Sequence, residues 1–147
     1  MLGKLARWLR LLGYDSSYYR DIEDRKLLEL AKINDRVLIT RDKEVVQKAK
    51  KTGIKIQEIK GTVLKDQLAE VTVKWNLNTT LIPEKTRCVS CNGEVKIVKK
   101  VCVQGRVPNG TFSYHNQFWE CIQCEKIYWK GAHWKNISHV ESELNQQ

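Results

Sequence analysis

Four cysteines in two pairs, Cys88-x-x-Cys91 and Cys121-x-x-Cys124, constrain this chain more than any other feature. In each pair a two-residue spacer closes a tight turn and aims both thiolates at one point. Two such turns facing each other make the four-sulfur tetrahedron that zinc prefers. Gly93, just after the first pair, puts a residue tolerant of positive φ where the turn needs one. Glu125, after the second pair, suits the same turn less well. The pairs are separated by 29 residues, a long connection for a zinc ribbon. Four thiolates leave no open coordination position, so the expected Zn2+ at Cys88, Cys91, Cys121 and Cys124 is structural, and any chemistry lies elsewhere. Cys102, the fifth cysteine, falls in a β-rich run and reads as a buried apolar thiol.

The compartment follows from the same cysteines. No apolar run nears the roughly 20 residues that span a bilayer. Met1–Leu12 has Lys4, Arg7 and Arg10 inside its apolar pattern rather than ahead of it, unlike a secretory leader. A cytoplasmic protein with no membrane partner is expected, where CxxC pairs bind metal more often than they oxidise. The formal net charge is +9, and residues 1–82 carry 17 Lys and Arg against 11 Asp and Glu. A zinc ion with four thiolates lowers the total to about +7 and leaves the basic character in the first half. Such a balance favours a polyanionic partner, RNA or DNA.

Periodicity divides the chain. Leu2, Leu5, Ala6, Leu9 and Leu12 form the apolar stripe of a helix over Gly3–Leu12, with Gly13 as its stop. Lys4, Arg7 and Arg10 fall on the other side. Tyr14–Tyr19 reads as a short strand, and Asp24 as the N-cap of a helix running to about Ile33. Arg36–Thr40 reads as a fully buried strand. A helix with Val45, Val46 and Ala49 inside follows it, then a strand over Ile54–Ile59, then an amphipathic helix over Thr62–Trp75. Strands alternating with helices predict a parallel α/β sheet. Asn76–Lys85 reads as a linker. Beyond it, β segments at Glu94–Val103, Asn116–Glu120 and Lys126–Trp129 surround the metal. The expected organisation is an α/β domain over 1–82, a ribbon over 83–137 and a polar tail, helical at best in part, over 138–147.

Ligand sites of parallel sheets lie outside the carboxyl ends of the strands. Asp42 directly follows one strand, and Asp24 opens a helix on the same edge. Clustered carboxylates there would hold Mg2+ or Mn2+, which activates water for phosphodiester hydrolysis; for Asp42 the plainer role is a helix N-cap. Lys4, Arg7, Arg10, Arg41 and the run Lys48-Ala-Lys50-Lys51 suit phosphate contacts, although a solvated face is the default for such charges. Phe118, Trp119, Tyr128, Trp129 and Trp134 are dense for so small a ribbon: some form its core, and one or two on the outside would stack on bases. His133 reads as a packing or hydrogen-bonding residue.

Taken in order, the segments Met1-Leu-Gly-Lys-Leu-Ala-Arg-Trp-Leu-Arg10, Leu11-Leu-Gly-Tyr-Asp15, Val37-Leu-Ile-Thr-Arg-Asp42, Thr86-Arg-Cys-Val-Ser-Cys-Asn-Gly93 and Tyr128-Trp-Lys-Gly-Ala-His-Trp134 carry a resemblance. The sequence resembles the Mut-seven C-terminal RNase domain family, a PIN-like domain fused to a zinc ribbon, over about residues 1–135. The resemblance implies a metal-dependent ribonuclease fold with Asp42 and Asp24 as site carboxylates and Asp66 as a weaker third. Members of that family usually begin with a strand ending in Asp, immediately before the Met-Leu-Gly-Lys-Leu-Ala-Arg segment. This sequence starts at that Met, so it lacks the strand and its acid. Three explanations stand open: a misassigned start codon, a partner strand completing the sheet, or a rearranged sheet without catalysis. The expectation is therefore an RNA-binding PIN-like and zinc-ribbon protein whose acidic site is one ligand short. The alternative is a non-catalytic RNA-binding subunit of a ribonucleoprotein such as the ribosome.

Overall fold

A computed structural model describes residues 2–146, the side chains of Ala132–Asn136 excepted. His133 and Trp134 therefore lie outside the described side chains. The chain forms two compact units. One comprises residues 2–5 and 18–77, the other residues 6–17 and 78–146. The N-terminal helix α1 (Gly3–Leu11) begins in the first unit and ends in the second.

In the first unit, helix α2 (Asp24–Ile33), strand β1 (Leu38–Thr40), helix α3 (Lys43–Lys51), strand β2 (Ile56–Glu58) and helix α4 (Leu64–Lys74) follow one another. The strands are parallel, with Leu38, Ile39 and Thr40 opposite Ile56, Gln57 and Glu58. The alternation of strands and helices thus yields the mixed α/β arrangement that it predicts. The core gathers Ala31, Leu38, Val45, Ala49 and Ile54, with Leu27, Leu28 and Ile56 packed on its margin. Val45 and Ala49 lie four apart, so one stripe of α3 covers the sheet. β1 departs from the fully buried strand expected. Only Leu38 is buried while Ile39 and Thr40 are partly open, because among the described residues the sheet has just two strands. The buried amide of Gln57 accepts a hydrogen bond from Trp75 Nε1 at 2.7 Å, which offsets its desolvation.

In the second unit, α1 buries Ala6 and Leu9 as its periodicity demands, and Arg10 with them, and Leu12 just past its end is buried too. The chain then turns at Gly13, φ +93°. Gly13 N–H donates to the Arg10 carbonyl and Tyr14 N–H to that of Leu9, the paired bonds of a glycine helix stop. A Cβ at Gly13 would sit 2.8 Å from the Lys85 carbonyl oxygen, so both conformation and space require glycine. Tyr14–Tyr19 is irregular rather than a strand, and the Ser16 N–H is taken by the side chain of Asn92.

The ribbon is an antiparallel sheet of β3 (Val95–Val98), β4 (Phe118–Cys121) and β5 (Ile127–Tyr128), in the order β3-β4-β5. The strand expected through Val103 stops at Val98, and residues 100–103 form a 3-10 turn. That turn, Val107 and a short helix α5 (Asn109–Tyr114) explain the long connection between the cysteine pairs. They supply Val103, Val107 and Phe112 to a core around the fully buried Phe118, with Val98, Ile127 and Trp129 beside it. A bare ribbon has too little apolar area for such a core. Cys102 is exposed on that turn rather than buried, because its neighbour Val103 takes the inward position. The segment expected as a polar tail belongs to helix α6 (Ala132–Asn145), which buries Leu144 and accepts the Leu81 N–H at Glu141 Oε1, 2.8 Å away.

Candidate metal centre and acidic strand ends

Both cysteine pairs bend in the same way. Asn92 N–H donates to the Cys88 carbonyl at 2.8 Å, and Glu125 N–H to that of Cys121 at 3.0 Å. Asn92 and Glu125, each directly after the second cysteine of its pair, hold φ of +67° and +64°. The left-handed position is thus Asn92, not Gly93, and Glu125 adopts it too; asparagine enters this region at little cost. Gly93 serves a different end. A Cβ there would meet Cys121 Sγ at 3.0 Å and the Gln123 side chain at 3.1 Å, so its lack of a side chain lets the two turns close.

The four sulfurs lie within 4.8 Å of one another, with Cys88 and Cys124 at 3.6 Å and Cys91 and Cys121 at 3.4 Å. Metal–sulfur bonds near 2.3 Å in a tetrahedron set the sulfurs about 3.8 Å apart, so the spacing and the donor set fit a structural ion such as zinc. Cys88 and Cys121, the first of each pair, are buried; Cys91 and Cys124 face solvent. Burial raises the Cys88 thiol pKa, but the Tyr128 hydroxyl at 2.9 Å and backbone N–H donors of the turn outweigh it and hold the group at about 6. Cys91 is pushed up to about 12, by desolvation first and then by the neighbouring sulfurs. One thiolate therefore disfavours the next unless a cation sits among them. Lys126 braces this corner, donating to Ser90 Oγ at 3.1 Å with its ammonium over the Tyr128 ring.

The first turn is also tied to the end of α1. Arg10 donates from Nε to the Ser16 carbonyl at 2.8 Å and from Nη1 to the Val89 carbonyl at 2.7 Å. Asn92 accepts the Ser16 N–H at Oδ1 and donates to Asp15 Oδ1 at 2.6 Å. Arg87 N–H reaches the Arg10 carbonyl at 2.8 Å, and its Nε reaches that of Asn92 at 2.9 Å. The Cys88–Cys91 turn is thereby clamped to residues 10–16.

At the strand ends of the first unit Asp42 and Asp24 are engaged separately. Asp42 Oδ1 accepts the Glu44 N–H at 2.8 Å and the Val45 N–H at 3.3 Å, capping α3. Asp24 is not the cap of α2; Glu23 holds that position and Asp24 is the first helical residue, paired with Lys48 at 3.3 Å. Asp66 lies in the first turn of α4, exposed. Beyond β2, Glu70 holds the N–H groups of Lys60 at 3.0 Å and Gly61 at 2.6 Å. Among the described residues, the four cysteines are the one group of three or more ligating side chains within reach of a single ion. Of the candidate phosphate contacts, Lys4, Arg7, Lys50 and Lys51 are exposed and Arg41 is partly so. Arg10 is buried, 8% exposed, with its guanidinium spent on two carbonyls; a charge flanked by Ala6 and Leu9 on the apolar stripe goes inward.

A model of the Mut7-C RNAse domain family matches residues 1–140. The chain belongs to the Mut7-C RNAse domain family. No curated protein and no solved structure matches it. Family membership gives the chain a ribonuclease-like, RNA-related character. No helix among the described residues is long and apolar enough to cross a membrane. Within this Mut7-C chain, the residues that sequence reasoning passed over are Arg10 as a clamp, Asn92 and Tyr128. For Arg10 a signal existed: it stands four residues after Ala6, at stripe spacing. For Asn92 it was its place directly after Cys91. Nothing local to Tyr128 pointed to Cys88, 40 residues away.

Proposed function

We propose that this Mut7-C chain binds RNA through a PIN-like α/β unit and a zinc-bearing ribbon in a reducing, cytoplasmic setting. The observation that carries the reading is the family match over residues 1–140. The +9 net charge and the exposed cations Lys4, Arg7, Lys50 and Lys51 support it, together with Arg41. Zinc is the proposed metal, on the strength of four thiolates and no other donor type. Metal-dependent hydrolysis would need Mg2+ or Mn2+ at Asp42 and Asp24. Their present engagement, Asp42 with the α3 amides and Asp24 with Lys48, favours binding over cleavage. A strand added beside β1, which pairs with β2 alone among the described residues, is the proposed route to a larger sheet; rRNA in a ribonucleoprotein is the alternative setting.

The test is RNA cleavage with Mn2+ by the native chain and by Asp42→Asn. Asparagine caps a helix as well as aspartate does, so the variant changes the charge and leaves the fold intact. Binding without cleavage in both proteins is the expected result. Cleavage abolished by Asp42→Asn would instead establish Asp42 as a metal ligand. Binding should weaken steeply between 50 and 200 mM salt, by about tenfold for each two phosphate contacts; no RNA binding at low salt would sink the reading.

A further inference from the structure

The first unit has an open hollow of about 650 Å³. Tyr18 and Tyr19 line it with 40% and 48% of their surfaces exposed. The partly buried Ile22 and Leu30 complete its apolar lining. Two adjacent exposed tyrosines ahead of a helix contribute little to the core and leave aromatic area in water. Tyr18 lies beside Gly3, where a Cβ would meet its ring and hydroxyl atoms at 3.4–3.7 Å, an ordinary contact distance, so the ring rests near the start of α1. Part-exposed aromatic faces at the rim of a ligand-sized hollow are the platform on which nucleobases stack.

The charges around the hollow are balanced. Arg20 and Lys26 offer two cations, and Asp21 and Glu23 two carboxylates. A surface built only for phosphates would be basic throughout, as the end of α3 is. Carboxylates beside stacking rings suit a base edge that donates hydrogen bonds. Guanine offers both its ring N–H and its exocyclic amine on one edge, where adenine, cytosine and uracil each offer a single donor group.

We infer that this hollow is a nucleobase site that selects guanine in single-stranded RNA: the tyrosines stack the base, Asp21 or Glu23 accepts from its edge, and Arg20 or Lys26 holds the adjoining phosphate. The inference rests on the RNA-binding reading and deepens it. Because the site is charge-balanced, its base preference persists at salt concentrations that weaken overall binding.

The experiment measures binding of the metal-loaded full chain to fluorescent oligouridine and to the same oligomer with one central guanosine, together with free GMP by chemical-shift perturbation. The guanosine oligomer should bind at least tenfold tighter, and GMP should shift the Tyr18 and Tyr19 resonances. Tyr18→Ala with Tyr19→Ala should erase the difference between the two oligomers. Asp21→Asn with Glu23→Gln should cancel the guanine preference and retain stacking. Equal affinity for both oligomers in the native chain would overturn the site and leave RNA binding standing. GMP binding without affinity for either oligomer would overturn the RNA reading and keep a nucleotide site. Absence of both would overturn the two together.

Discussion

The cysteine cage and the acidic strand ends both require several side chains to meet at one point, and they are built on different length scales. Each half of the cage is a four-residue turn whose own backbone bonds aim two sulfurs, so only two pieces must be brought together. The ribbon ladder does that: Val95 pairs with Cys121, and Cys88 N–H reaches the Gly93 carbonyl at 2.8 Å. The acids at 24, 42 and 66 sit on three elements with no local turn to pair them, and the first two find nearer partners. Asp42 takes the amides of its own helix, and Asp24 takes Lys48. A site encoded in short turns closes by itself; one assembled from distant strand ends depends on everything that positions those strands.

The largest effect that sharpens this contrast is metal removal. Structural zinc contributes about 10–16 kcal/mol in zinc-finger peptides. Chelation, or Cys88→Ser, should therefore abolish amide protection in β3, β4 and β5 while α2, α3 and α4 keep theirs by hydrogen exchange. Cys102→Ser, on an exposed turn, should leave metal stoichiometry unchanged. Ribbon protection that survives chelation would break the comparison, since the Phe118 core would then suffice alone.

Arg10→Met comes next. It keeps the apolar stem and removes two part-buried charge-assisted bonds, to the Ser16 and Val89 carbonyls, a loss of about 3 kcal/mol. Residues 15–17 and the turn at 88–91 should lose protection together. If only the former responds, the clamp is a local brace and not a link to the cage.

What could be read beforehand follows the same division of scale. The α1 stripe, the Gly13 stop, each single element of the β1–α3–β2 alternation and each CxxC turn are patterns within about a dozen residues, and the structure contains them. The inward turn of Arg10, the aim of Tyr128 at Cys88 and the use of the 29-residue connection as core are contacts between distant segments. Asn109–Tyr114 shows why the connection was opaque. Its Asn-Gly-Thr-Phe-Ser-Tyr composition is a poor helix former, and it is helical because Phe112 packs into the ribbon core. At the acidic end the reading of Asp42 held two roles, cap and ligand, and sequence spacing does not separate them.

Tyr128→Phe probes the cage with a smaller effect. The ring stays, but the hydroxyl at 2.9 Å from Cys88 Sγ is lost. Partners of metal ligands typically contribute 10- to 100-fold in affinity, so competition with a chromophoric chelator should register a drop of about that size, with the fold retained in excess metal. Unchanged affinity would mean that the backbone N–H groups of the turn suffice to hold Cys88.

The smallest effect separates the two roles of Asp42 from the stability side. Asp42→Ala removes the acceptor for the Glu44 and Val45 N–H groups, and loss of an N-cap costs about 1 kcal/mol. Asp42→Asn should cost no more than a few tenths. If the carboxylates at this edge repelled one another as a crowded metal site does, neutralising one would instead stabilise the protein in metal-free buffer. Denaturation of the three proteins in chelator-free and Mn2+-containing buffer decides between these. Native and Asn variants of equal stability in both buffers mark Asp42 as a cap alone. A native protein that gains stability with Mn2+, by an increment that Asp42→Asn lacks, would make the strand ends a second ion site, and the contrast with the cysteine cage would become one of affinity rather than of assembly.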